Sequence, residues 1–277
     1  MSSTSPHPKR SVIESIKTEW RLLLVAIQFL TRIPVTLNSY QPNWLHQSSR
    51  HFPGVGLIVG MLCAAVFALV SYFFNPLVAA IASTAFGIKL TGAFHEDGLA
   101  DTCDGLGGGL TRERTLIIMK DSRIGTYGSL GLVCALLLKV SLLASMPTSV
   151  ALAALIVAHS VSRWMSTSLI VALPYGGEIE HAKAKPMAQQ MSSKQWFASG
   201  LWLIAVAMVL VVVLPDGLWQ ISLGQWLLAI TFVAIAMAHM YRLLKRRLQG
   251  YTGDGLGATQ QITEIAIYAG LAATINF

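Results

Sequence analysis

From Val55 onward the sequence repeats one pattern: a mostly apolar run close to the roughly 18 to 20 residues a helix needs to cross a bilayer, then a break or polar loop. Runs at about 55–74 and 77–95 are separated by Asn75 and Pro76; runs at about 127–146 and 150–172 turn at Met146, Pro147 and Thr148. Runs at about 198–214 and 224–241 turn at Pro215, Asp216 and Gly217, and a last one covers about 257–275. This pattern predicts an all-α fold, a polytopic integral membrane helical bundle of about seven transmembrane helices. Composition closes the other routes: 54% hydrophobic against 12% charged residues excludes ordinary globular, disordered and collagen-like chains.

Ahead of the bundle, residues 1–54 form an N-terminal segment. Its stretch Arg21 to Val35 holds Leu22, Leu23, Leu24, Val25, Ile27, Phe29 and Leu30 between basic flanks, and is too short to span before Pro34. It reads as an amphipathic helix lying on the membrane surface. The opening MSSTSPHPKR lacks the apolar core and cleavage site of a signal peptide, so it is expected to be retained and cytoplasmic.

The net charge of +7 could suggest nucleic acid, but the basic residues are dispersed over short loops without interleaved aromatics, and no nucleic-acid partner is expected. Six lie in residues 1–54, four in 96–126, three in 174–197 and four in 242–256, with none in the three opposite turns. Basic residues accumulate on the cytoplasmic side, so this segregation predicts a cytoplasmic N-terminus, seven spans and an external C-terminus. The chain then divides into the segment 1–54 and a single transmembrane catalytic domain, 55–277, whose active-site loops (96–126, 174–197, 242–256) face the cytoplasm. Cys63, Cys103 and Cys134 show no CxxC spacing and are expected as free thiols. Lys89, Lys139 and Arg163 fall inside spans, where an unpaired charge is costly, so each needs a partner or must snorkel to the interface. Lys89 precedes Asp97 by eight residues on the same helical face and could meet the acids or a phosphate.

The chemistry concentrates in Thr91 to Gly109, TGAFHEDGLADTCDGLGGG. Asp97, Asp101 and Asp104 are spaced i, i+4 and i+7, which on a helix turns all three carboxylates to one side. Converging anions repel, and a hard divalent ion with oxygen ligands resolves the repulsion; magnesium, which keeps waters and bridges to phosphates, suits carboxylates better than zinc. His95 and Glu96 extend the cluster. The alternative is a solvated acidic loop beside a membrane helix. Downstream, MKDSRIGTYG over 119–128 adds Asp121 as a metal ligand and Lys120 and Arg123 as cations for an anionic substrate. Gly105, Gly107, Gly108 and Gly109 could bring backbone amides to phosphate oxygens, a weak signal taken alone. GYTGDGLG over 250–257 places Asp254, and later Glu264, near the same membrane face; Asp254 reads equally as a turn aspartate. Together these features suggest metal-assisted phosphoryl or nucleotidyl transfer on a large or lipid-associated substrate.

The segments HEDGLADTCDG (95–105), MKDSRIGTYG (119–128), FLTRIP (29–34), FPGVG (52–56) and TGDGLG (252–257) closely resemble the cobalamin synthase family of adenosylcobinamide-GDP ribazoletransferases, in order and spacing and over nearly the whole chain. The resemblance implies a magnesium-dependent enzyme of the cytoplasmic (inner) membrane. It would join adenosylcobinamide-GDP to alpha-ribazole or its 5'-phosphate, yielding adenosylcobalamin or its 5'-phosphate and releasing GMP in the last steps of cobalamin biosynthesis. Mapped by motif, Asp97, Asp101 and Asp104 would hold magnesium, with Glu96 the weakest member of the set, and His95 or an aspartate would take the attacking hydroxyl's proton. Arg123, Lys120 and Lys89 would meet phosphate oxygens. The resemblance leaves room for a homo-oligomer or an association with other cobalamin-assembly enzymes. A CDP-alcohol phosphotransferase fits less well: Asp101-x-x-Asp104-Gly105 matches the start of its motif, but the following Ala-Arg and the later Gly-x-x-x-Asp-x-x-x-Asp are missing. A transporter is the alternative of another class, against which stand acids gathered at one surface and no visible inverted repeat.

Overall fold

The computed structural model describes residues 12–37, 41–177 and 191–274. Its helices are α1 (Val12–Leu30), α2 (Pro42–Ser48), a 3-10 turn (Ser49–His51), α3 (Phe52–Ser71), α4 (Pro76–Thr91), α5 (Phe94–Gly108), α6 (Arg112–Met119) and α7 (Thr126–Ser145). There follow α8 (Thr148–Ala172), α9 (Ser193–Ser199), α10 (Leu201–Val213), α11 (Pro215–Trp219), α12 (Leu223–Leu248) and α13 (Gly253–Ala272). Among the described residues there is no strand beyond one isolated parallel bridge, Tyr175 with Tyr251. The all-helical expectation is met, as lipid requires, because a helix satisfies its own backbone.

The hairpin turns work as the sequence suggests. Asn75 Oδ1 accepts the Val78 amide (3.1 Å) and Pro76 occupies the first turn of α4, while Ser222 and Gln225 form a capping box at the start of α12. Among the described residues five helical segments are long and apolar enough to span: Asn43–Ser71, Thr126–Ser145, Thr148–Ala172, Ser193–Val213 and Leu223–Leu248. The pair α4 and α5 makes a sixth only if taken together, and it is bent by 89°. α13, the seventh expected span, is long enough but carries too many polar groups to pass on composition.

Three expectations change in detail. The second run ends at Thr91 rather than near residue 95. Gly92 (φ 66°) and Ala93 (φ 59°) both adopt the left-handed conformation, the Ala93 amide closing on Ile88 O at 2.8 Å, and the chain leaves at nearly a right angle. Lys89 and Asp97 are therefore on different helices and share no face. The polar loop expected over 96–126 is mostly helix, as α5 and α6. The N-terminal helix starts well before Arg21 and is covered by protein along one side: Leu22, Val25, Ala26 and Leu30 are buried, while Ile13, Ile16 and Trp20 stay exposed. Residues 1–11, with Lys9 and Arg10, and residues 178–190 of the expected third loop lie outside the described residues.

The connections sort to two ends. Gly176 N donates to Tyr251 O (2.8 Å), Tyr251 N to Pro174 O (2.9 Å), and Arg112 reaches Leu248 O (2.9 Å) and Gly176 O (2.6 Å), so one end is clasped by segments of all three basic loops. At the other end Ser149 Oγ donates to Gln220 Oε1 (2.8 Å) and Gln225 Nε2 to Leu271 O (2.8 Å). α13 thus runs from the clasped end to the far end. The bundle centre is the α3/α8 pair, where Gly56 and Gly60 let the backbones touch: a Cβ on Gly60 would stand 2.8 Å from Leu155 O, and one on Gly56 would overlap the His159 carbonyl.

Candidate functional site

The segments singled out in the sequence, far apart along the chain, meet on or beside α5. Phe29 sets its ring edge against Phe94 (4.9 Å between centroids) and stacks on Phe52 (6.2 Å), Arg32 N donates to Leu90 O (2.7 Å), and the Arg32 guanidinium covers Gly92. Gly98 packs on the start of α13 so closely that a Cβ there would lie 2.9 Å from Asp254 O and 3.3 Å from Gly257 Cα. The absence of side chains at Gly98 and Gly257 brings Asp254 to the acidic face of α5.

On that face Asp97 is exposed and Asp101 half-buried, with Asp254 alongside. α5 turns away from α4, and these groups stand at the clasped end, outside the five segments that are long and apolar enough to span by themselves. Partial burial, and then the charges of Asp254, Asp97 and Asp104, push the Asp101 carboxyl up to about 7. Burial, and then Asp97, push Asp254 up to about 6. Asp254 therefore joins a like-charge cluster in which its own carboxyl and that of Asp101 are held toward the protonated form.

Asp104 differs from its neighbours. It is buried, and its two oxygens accept the amides of Gly125 (2.7 Å) and Gly128 (2.8 Å), so it caps the N-terminus of α7 and couples α5 to the 119–128 segment. Any Cβ at Gly128 would overlap this carboxylate. Asp121 lies on the connection from α6 to α7 with its carboxylate paired to Arg123 (2.6 Å), whose side-chain and backbone hydrogen bonds hold it down to about 2. The structure pairs it with Arg123 rather than with the α5 acids. Lys120 and Arg123 are exposed at the end of α6 and on that connection, and Lys89 is exposed on the last turn of α4. Gly105, Gly107 and Gly108, expected as a flexible phosphate loop, are instead the last turn of α5. Gly105 seats Met119 and Gly107 the Tyr127 ring, so they serve close packing.

His95 and Glu96 turn inward. Both are buried and face a polar core that sequence reasoning did not assemble. Glu264, expected near the membrane face with Asp254, lies about 15 Å further along α13 by helical rise. There it accepts Lys139 Nζ (3.0 Å), Tyr268 Oη (3.0 Å) and Gln260 Nε2 (2.6 Å), and His159 stands at 3.5 Å. Arg163 donates to His159 O (2.8 Å). Lys139 and Arg163 are buried with partners and do not snorkel. The signal was present as Gln-Gln-Ile-Thr-Glu inside a would-be span at 260–264, polar groups that lipid would not tolerate unpaired.

Among the described residues no trio of His, Cys, Asp or Glu side chains is already arranged to hold one metal ion. A hard cation that keeps its waters and bridges to substrate phosphates needs only one or two carboxylates, and a cluster of mutually repelling oxygens supplies them. The carboxylates from which one or two ligands would be drawn are Asp97, Asp101 and Asp254.

A family model described as cobalamin-5-phosphate synthase matches residues 22–272. A protein of Leptothrix cholodnii named adenosylcobinamide-GDP ribazoletransferase is 46% identical over 266 residues, covering 94% of this chain and 97% of that one. Proteins of the same name from Albidiferax ferrireducens (45% identical, 91% and 97% covered) and Vibrio cholerae (40%, 94% and 97%) are also similar. No solved structure matches the chain.

Proposed function

Because the chain belongs to the cobalamin-5-phosphate synthase family, we propose that it joins adenosylcobinamide-GDP to alpha-ribazole or alpha-ribazole 5'-phosphate, with release of GMP. The observation that carries this reading beyond its relatives' names is the meeting of Asp97 and Asp101 on α5 with Asp254 on α13, against Gly98, at one end of a membrane bundle. The basic residues of the same end support a site facing the cytoplasm from the inner membrane.

The ribazole 3'-hydroxyl attacks the phosphorus attached to cobinamide, a new phosphodiester forms, and the bond from that phosphorus to the bridging oxygen of GMP breaks. GMP leaves with that oxygen. Carboxylates of the set Asp97, Asp101 and Asp254 would hold magnesium, which when bound would supply positive charge to the diphosphate and the departing group. The hydroxyl proton goes to a carboxylate oxygen of this cluster, since His95 is buried and faces the polar core. Asp104 keeps the α5/α7 junction closed, and Arg123, steadied by Asp121, presents its guanidinium to phosphate oxygens.

The cluster gives the reaction a pH signature. Asp101 and Asp254 have native values raised above those of the unfolded chain, so without metal the native state holds more protons and loses stability as pH rises from about 4 through 6 and 7. A cation needs the ionised forms and binds better as pH rises through the same window. In detergent, GMP release is expected to stop in EDTA and return with magnesium, and the magnesium concentration giving half activity to fall between pH 5.5 and 8. Turnover that persists in EDTA removes the metal from this reading.

A further inference from the structure

Gln261 has all its polar atoms committed. Its Oε1 accepts Lys139 Nζ at 2.9 Å, and its Nε2 donates to Glu96 Oε1 at 3.0 Å and to Gln260 Oε1 at 2.9 Å. The amide can sit only this way round, because the flipped group would set an NH2 against the ammonium and an oxygen against the carboxylate. Gln260 is fixed likewise, accepting from Gln261 and donating to Ser162 Oγ (2.9 Å) and Glu264 Oε2 (2.6 Å). One chain of hydrogen bonds therefore runs from the buried ion pair Lys139–Glu264, through α13, to the first turn of α5. The residue at its end, Glu96, immediately precedes Asp97.

Three atoms here are left over, Thr84 Oγ1, Glu96 Oε2 and Arg163 Nε, each buried without a hydrogen-bond partner. Their residues line a cavity of about 20 Å³ between α4, α5, α7, α8 and α13. Space of that size has room for one water.

We propose that Glu96 is a positioning residue rather than a metal ligand: tied to Gln261, it fixes the rotation of α5 and so the direction in which Asp97 and Asp101 are presented. The break at Gly92 and Ala93 gives this a purpose, since α5 leaves α4 at 89° and receives no helical continuity to set its rotation. The Glu96–Gln261 bond supplies that setting from α13, the helix that also delivers Asp254. Both halves of the carboxylate cluster are then referred to one rigid element. The inference rests on the transferase reading.

The test compares four variants in the same GMP-release assay. Glu96→Gln keeps an acceptor for Gln261 Nε2 and is expected to retain activity within a few-fold of wild type with an unchanged magnesium requirement; a metal ligand would not survive that change. Glu96→Met and Gln261→Met break the bond and are expected to lower kcat about 10- to 100-fold with little change in KM. Ser160→Ala removes a buried bond to Pro53 O (2.8 Å) between α8 and α3, away from this chain of bonds, and is expected to lower Tm without lowering kcat. Loss of activity in Glu96→Gln, or full kcat in Gln261→Met, overturns the positioning role. An inactive wild type would instead overturn the transferase reading.

Discussion

Replacing Asp101 with asparagine is expected to reduce transfer by at least about a thousand-fold while leaving a folded, membrane-inserted protein. Asparagine keeps the shape of the side chain but cannot bear the charge that a bound cation needs. It also removes one of the charges that Asp101, Asp97, Asp104 and Asp254 impose on one another, since Asp101 is the member that the others push up to about 7. The metal-free variant is accordingly expected to be at least as stable as wild type at pH 8. Lost activity together with unchanged or raised stability is a combination that a merely structural aspartate would not give. Turnover retained in well-folded Asp101→Asn refutes the assignment.

Lys139→Met is expected to have the largest effect on stability, about 3–5 kcal/mol, because it leaves Glu264 ionised in the bundle core without its nearest cation. Tyr268 and Gln260 still donate to that carboxylate, but neutral donors do not replace a countercharge. The double variant Lys139→Met/Glu264→Gln removes both charges and is expected to recover most of the loss, since the cost lies in the unpaired ion rather than in the absence of the pair. Thermal unfolding in detergent separates the cases. A single variant as stable as wild type would mean that Lys139 reaches the interface instead.

The spans and turns were legible because their physics is local. About twenty apolar residues and a capped Asn-Pro or Pro-Asp-Gly break act within one segment, as Asn75 and Pro76 show. The spacing of Asp97, Asp101 and Asp104 was legible for the same reason. What stayed hidden depends on how the helices are turned against one another. Ala93 in a left-handed conformation has no marker in its residue type, so the bend that separates Lys89 from Asp97 could not be read. The glycines after Asp104 suggest a loop by composition, yet their lack of side chains is used to seat Met119 and Tyr127. Glu96 and Asp97 are adjacent and alike in charge, but about 100° apart around the helix, which sends one into the core and the other to the surface. Lys139 and Glu264 are far apart in the chain, and only the packing of α7 on α13 makes them partners.

In the proposed reaction the carboxylate end of this bundle transfers the cobinamide-bearing phosphoryl group to a ribazole hydroxyl. The most direct measurement is GMP release by the purified protein in liposomes, given adenosylcobinamide-GDP with magnesium, in the presence and absence of alpha-ribazole 5'-phosphate. The expected result is GMP formed in equal amount with the joined corrinoid product, and only when both substrates are present. GMP released equally without the ribazole would show a hydrolase, and no release by folded protein given both substrates would contradict the transferase reading.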